Sequence, residues 1–168
     1  MTTKNRTSIS RDLDQRTLTI RRRFNAPRAR VWRAYTEPEL LDQWWAPKPW
    51  KAETKRMDFR VGGQWLYAMK GPEGEVHYGR MDYSAIDPEK RYDALDVFAD
   101  AAGETLAGMP QQTFITTFRD DGASTEVLVV VEYDSVEDLE KVVEMGMEEG
   151  LTMAQDQLEE LLTQASFG

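Results

Sequence analysis

Residues 135–162, SVEDLEKVVEMGMEEGLTMAQDQLEELL, carry the longest helical periodicity in the chain, and their reading decides the fold. Ser135 marks the start: its hydroxyl can accept a first-turn backbone N–H, and Asp138 sits where the positive end of the helix dipole favours an acid. Leu139, Val142 and Val143 open an apolar stripe. Ala154, Leu158, Leu161 and Leu162 resume it at helical spacing, with Glu137, Glu140, Glu144, Glu159 and Glu160 largely off it. One face of this segment must therefore be buried. Gly146 and Gly150 each disfavour helix by about 1 kcal/mol relative to alanine, so Val136 to Leu162 is expected as a short helix, a kink near Gly146 and a longer terminal helix. Met145, Met147 and Met153 fall around that break, where flexible thioethers can fill core gaps or line an adaptable cavity.

Upstream of this segment the period changes from that of a helix to that of strands. Thr125 to Tyr133 puts Val127, Val129, Val131 and Tyr133 on one face, and Asp120-Asp121-Gly122 joins it to Thr113–Phe118 as a hairpin. Arg91 to Ala99 and Glu75 to Ile86 flank Asp87-Pro88-Glu89-Lys90, a turn with Pro at its second position. Trp65, Tyr67 and Met69 alternate before Gly71-Pro72-Glu73-Gly74, and Met57, Phe59 and Val61 alternate before Gly62-Gly63. Near the start, Thr17 to Phe24 places Leu18, Ile20, Arg22 and Phe24 on one face. An inward Arg22 needs carboxylate or carbonyl partners, supplied by an internal ion pair or by a ligand.

Two short helices separate that first strand from the others. Asn25-Ala26-Pro27 opens one, with Val31, Trp32 and Tyr35 as its apolar side. Thr36 and Glu39 form a capping-box pattern for the second, which runs through Leu40, Leu41, Trp44 and Trp45 until Pro47 and Pro49 end it. The short connections between strands demand antiparallel neighbours. The expected class is α+β: a strand, two helices, six meandering strands and a terminal helix, making a curved seven-stranded antiparallel sheet with the C-terminal helix across one face. Residues 1–15 are expected to be a mobile extension in which Ile9 could add a short strand, and residues 16–165 a single domain. The longest connection, Asp100 to Pro110, contains Leu106 and Met109 and could be a lid over a pocket mouth or a plain disordered loop.

Composition narrows the function classes. A net charge of −9 argues against nucleic acid as a partner. The charge is uneven: residues 1–60 carry 15 Lys and Arg against 7 Asp and Glu, and the remainder 6 against 23. Such asymmetry fits either an acidic partner or basic and acidic elements packed side by side in one domain. The chain has no cysteine, which removes disulfides and thiolate chemistry. No apolar run reaches the length of a membrane span, and the first residues lack a signal-peptide core, so a cytoplasmic protein without membrane contact is expected.

The order of elements resembles the START-like, Bet v 1-like helix-grip superfamily, and more closely its branch named after the activator of Hsp90 ATPase homologue 1. The residues that carry the resemblance are Arg16-Thr17-Leu18-Thr19-Ile20, Phe24-Asn25-Ala26-Pro27, Val31-Trp32, Thr36-Glu37-Pro38-Glu39-Leu40-Leu41 and Trp44-Trp45 in the first part. Asp58-Phe59-Arg60-Val61-Gly62-Gly63, Met69-Lys70-Gly71-Pro72-Glu73-Gly74 and Glu144-Met145-Gly146-Met147-Glu148-Glu149-Gly150 continue it to about residue 163. The resemblance implies a cavity between the sheet and the terminal helix, but no common catalytic set. Trp45-Ala46-Pro47-Lys48-Pro49-Trp50 departs from the branch, which more often has glycines beside the proline and a final Phe, and the departure falls on the expected pocket mouth.

Three functions follow from different features. The first is non-enzymatic binding of a small apolar or aromatic molecule. Trp44, Trp65, Tyr67, Met69 and Met81 would line the cavity from the helix end and the strands, with Phe98, Met147 and Met153 completing it. The same side chains could instead fill a solid core. The second is an enzyme of cyclase or dehydratase type built on the cavity. His77, the single histidine, would be its acid/base group and otherwise a polar handle for a ligand, with Tyr67, Tyr83 and Glu75 nearby in strand register. No nucleophile pair or metal-ligand cluster accompanies His77, so no catalytic residue, metal or cofactor is assigned. The third, an Hsp90-type co-chaperone role, ranks lowest, because the eukaryotic co-chaperones of this resemblance carry a second, N-terminal domain. A homodimer through an exposed sheet edge is compatible with the pattern.

Overall fold

The structure, a computed structural model, describes residues 5–164. Its elements run β1 (Ser8–Asp12), β2 (Thr17–Phe24), α1 (Arg28–Thr36), α2 (Pro38–Trp44), β3 (Lys51–Met57) and β4 (Gln64–Lys70), then β5 (Val76–Asp87), β6 (Arg91–Ala99), β7 (Gln112–Asp121), β8 (Ser124–Tyr133), α3 (Val136–Glu144) and α4 (Met147–Leu162). The strands form one antiparallel sheet of eight in the order β1-β2-β8-β7-β6-β5-β4-β3. β2 alternates as its sequence dictates, with Leu18, Ile20, Arg22 and Phe24 buried, and Val127, Val129, Val131 and Tyr133 of β8 continue that inward row. Among the described residues, no helix is long and apolar enough to cross a membrane.

Two features of the sheet differ from the sequence expectation. The seven strands become eight because β1 pairs with β2 from Ser8↔Arg21 to Asp12↔Thr17, so this part of the N-terminal extension is built into the sheet. β1 is an edge strand in which Ile9 alone is partly covered, leaving hydrophobic alternation nothing to register. Residues 1–4 of the extension and residue 165 at the expected domain end lie outside the described residues. The second difference concerns Met57, Phe59 and Val61. β3 ends at Met57, and Phe59 lies in a loop that turns its ring onto Tyr83 and Trp32, at centroid distances of 4.8 and 5.7 Å, while Val61 is 57% exposed. The loop is tied to β5 by the Gly62 N–H on the Tyr83 carbonyl and the Tyr83 N–H on the Gly63 carbonyl.

The small helices form where expected, but the capping box does not. Pro38 opens α2 with Glu37 in the capping position, and the Thr36 hydroxyl bonds back to the Trp32 carbonyl at 2.8 Å. Pro38 at the first helical position presets the first turn, so the helix starts one residue later than the capping-box pattern with Thr36 as cap would place it. The C-terminal segment follows its sequence signals closely. Ser135 Oγ accepts the Asp138 N–H at 3.1 Å, and Gly146 adopts the left-handed conformation, φ 90° and ψ 20°, that separates α3 from α4. Ala154, Leu158, Leu161 and Leu162 of α4 are buried.

Arg22 resolves to the internal ion pair. Its enclosed guanidinium meets Asp156 at 2.5 Å and Glu159 at 2.7 Å on α4, donates to Thr7 at 3.0 Å, and lies 5.5 Å from the Phe24 ring centroid. Arg11 adds a forked pair to Glu148, at 2.9 and 3.0 Å. Basic N-terminal strands and the acidic helix α4 therefore neutralise each other. The free edges of the sheet are β1 and β3; Lys51, Glu53, Lys55 and Arg56 along β3 disfavour edge-to-edge pairing.

Candidate ligand cleft

The space between the sheet and α4 is filled by rings. Tyr35 meets Trp44 edge to face at 4.8 Å, Trp44 meets Trp45 at 5.3 Å, Trp45 meets Trp65 at 5.1 Å, and Trp65 stacks on Tyr67 at 4.3 Å. What remains beside Leu151 and Gln155 is a void of about 20 Å³, room for roughly one water. The open volume lies further along the sheet. A cleft of about 650 Å³ is lined by three adjacent strands: Tyr67 and Met69 of β4, His77 and Gly79 of β5, Asp96 and Phe98 of β6. The register Met69↔His77, Tyr67↔Gly79 and Gly79↔Phe98 sets these groups side by side.

Three connections build its walls. Pro47 and Trp50 come from the segment between α2 and β3, Leu106 and Met109 from the loop after β6, and Met145 from the break between α3 and α4. β7 stops pairing with β6 at Asp96, and beyond that point the loop takes its place: Thr105 bridges Ala99, and the Leu106 N–H reaches the Phe98 carbonyl at 2.9 Å. Gly79 is required by the floor itself. A Cβ there would sit 2.5 Å from the Tyr67 hydroxyl, so the missing side chain is what lets the Tyr67 ring lie flat across β5.

The polar groups are few and unequal. Asp96 accepts the Gln112 side-chain N–H on Oδ2 at 2.8 Å, while its buried Oδ1 and the buried Gln112 Oε1 have no hydrogen-bond partner. Burial pushes the Asp96 carboxyl up to about 7, with Gln112 and Tyr67 holding it back and Asp82 adding to the rise. Burial, reinforced by the nearby Asp96, also raises the Tyr67 phenol well above its ordinary value and keeps it protonated. At the rim, the exposed His77 stacks on Trp50, centroids 5.6 Å apart and planes at 29°.

Of the residues singled out from sequence, Tyr67, Met69, His77 and Phe98 come together in this cleft, joined by Leu106 and Met109 of the expected lid and by Met145 of the helix break. The others lie elsewhere. Trp44, Trp65 and Met81 are sealed in the core, Met147 packs against it and receives the Tyr133 hydroxyl at 3.2 Å, and Met153 is 44% exposed on α4. The groups grouped with His77 for catalysis also separate. Glu75 closes its own turn by accepting the Glu73 N–H at 2.8 Å, and Tyr83 is buried against Phe59 and Tyr92. Among the described residues, no group of three or more Asp, Glu or His side chains is placed to hold a metal ion. Asp96 is the important member that sequence reading left out, whereas Trp50 belongs to the segment expected at the pocket mouth. Asp96 was accessible to the argument applied to Arg22, because it alternates inward with Tyr92, Ala94 and Phe98.

Residues 25–163 match the family described as Activator of Hsp90 ATPase homolog 1-like protein. The chain belongs to this family. Among solved structures it is similar to protein Ms6760 from Mycobacterium smegmatis, with 36% identity over 94% of this chain and 97% of that one and a TM-score of 0.87. A protein from Arthrobacter aurescens is 28% identical over 96% of this chain and 94% of its own, with a TM-score of 0.88. Protein NE0264 from Nitrosomonas europaea is 27% identical over 88% and 94%, with a TM-score of 0.76. No curated protein matches the sequence. The helix-grip architecture inferred from the order of elements is thus that of the family, with α3 and α4 as the gripped helices.

Proposed function

We propose that this protein binds a small apolar or aromatic molecule, without transforming it, in the cleft at the β4–β6 end of the sheet. The observation that carries the reading is the cleft itself. Its volume of about 650 Å³ falls in the range of small-molecule sites, and its surface is mostly apolar, with aromatic rings, thioethers and a few polar groups. Family membership supports it, since the helix-grip fold commonly holds hydrophobic ligands. The cleft differs from the cavity expected beneath α4 because the tryptophan cluster occupies that space, leaving the strand ends and the Asp100–Pro110 loop to enclose the ligand.

Met69→Trp tests the reading. The larger indole would project into the floor between Tyr67 and His77, and uptake of a fluorescent apolar dye is expected to fall at least tenfold while the circular dichroism spectrum is retained. Native mass spectrometry of the freshly purified protein complements it, with a non-covalent adduct expected on the wild type and absent from the variant. Undiminished uptake by a folded variant refutes the assignment of the cleft.

A further inference from the structure

We propose that the ligand of this cleft is an organic cation, an amine or ammonium group carried on an apolar or aromatic body, with the cationic end against Asp96. This rests on the reading of the cleft as a ligand site and adds the chemistry that the site selects. Two observations converge on it. The first is an unpartnered acceptor. Asp96 lines the cleft and accepts one hydrogen bond, from Gln112 on Oδ2, while its buried Oδ1 has no hydrogen-bond partner. A buried acceptor without a donor is costly, and a ligand's N–H is one group that answers it. A bound ammonium supplies that donor together with the counter-charge that the Asp96 carboxylate lacks.

The second is the sign and surface of the walls. No lysine or arginine lines the cleft, and its other carboxylate, Asp100, stands on the same side as the loop that closes it. An anionic ligand such as a fatty acid would find no lysine or arginine there and would face Asp96 directly. Trp50, Tyr67, Tyr78 and Phe98 contribute aromatic rings, whose negative faces attract a desolvated cation.

The experiment compares three probes with one apolar body: 4-phenylbutylamine, 4-phenylbutanol and 4-phenylbutyrate. Each is titrated calorimetrically into the full chain at pH 8, alongside a neutral apolar dye. The amine is expected to bind roughly tenfold tighter than the alcohol and the carboxylate weakest, an order set by the charge-assisted contact. In Asp96→Asn the amine-to-alcohol ratio is expected to fall toward one. An amine no tighter than the alcohol, in a protein that takes up the alcohol or the dye, overturns the cation assignment and leaves the cleft reading standing. Failure of all four compounds to bind overturns both.

Discussion

Asp96→Asn should also change how the unliganded protein responds to pH. Burial lifts this carboxyl from 3.8 to about 7, so the folded chain holds its proton more tightly than the unfolded chain does. Below the unfolded value both states are neutral and nothing is lost. As pH rises toward 7 the unfolded chain gives up its proton first, and stability falls; above 7 both states are ionised and the penalty is constant. About two of those roughly three pH units lie between pH 5 and pH 8, which at 1.36 kcal/mol each gives a ceiling of about 3 kcal/mol. Water entering the cleft and local relaxation should reduce this to about 1–2 kcal/mol, or roughly 4 °C of Tm for a chain of this length. The assay is thermal unfolding of wild type and variant at pH 5 and pH 8. The amide has its own fixed cost, and every other group titrates alike in both proteins, so the Tm difference at pH 8 minus that at pH 5 isolates Asp96. That difference should favour the variant. An equal Tm difference at the two pH values would refute the argument that Asp96 is ionised at a cost.

Arg22→Met removes the cation while keeping most of the buried volume, and leaves Asp156 and Glu159 facing an apolar strand; a loss of about 3 kcal/mol is expected in urea unfolding, with the m-value unchanged. A loss under about 1 kcal/mol would mean that both carboxylates escape to water and that the pair does not pin α4 to β2. Ser135→Ala deletes the cap on the Asp138 N–H and should cost about 1 kcal/mol. Amide exchange should then accelerate in the first turn of α3 more than in β8, and uniform acceleration would count against a local cap.

The parts of the fold that were legible in the sequence are those governed by local rules and by deep burial. Ser135, Gly146 and the Asp120-Asp121-Gly122 turn each impose a backbone state on their own neighbours, and the inward rows of β2 and β8 are dense enough to show their period. The two edge strands were not legible in this way. β3 reads Lys-Ala-Glu-Thr-Lys-Arg-Met with only Ala52 buried, and β1 offers Ile9, so strand pairing holds them without a hydrophobic signature. Phe59 misled because its burial comes from a loop folded back onto Trp32 and Tyr83, a tertiary contact that period-two alternation imitates. At the site, alternation found Tyr67, Met69, His77 and Phe98, which share an inward face. It could not tell which inward aromatics pack solidly and which border space. Trp44 and Trp65 fill the interior because Trp45 wedges between them, and nothing in their spacing reports that contact. Trp50 and Met145 reach the cleft from connections, where no periodicity operates.

The sheet order sets the timetable of folding. Every neighbour from β3 to β8 is also a neighbour in sequence, so that meander can assemble hairpin by hairpin from local contacts. β2 is the exception, because its partner β8 lies about a hundred residues downstream, and Thr17 must find Glu132. During synthesis the residues from Thr17 to Phe24, with Arg22 among them, therefore wait for their inner partner until β8 has left the ribosome. Only then can the strand, its arginine and the acidic helix that neutralises it be enclosed together. Cleavage in the meander before that moment should leave β2 without its β8 partner and Arg22 without its carboxylates, which makes enclosure of this strand a nearly all-or-none event.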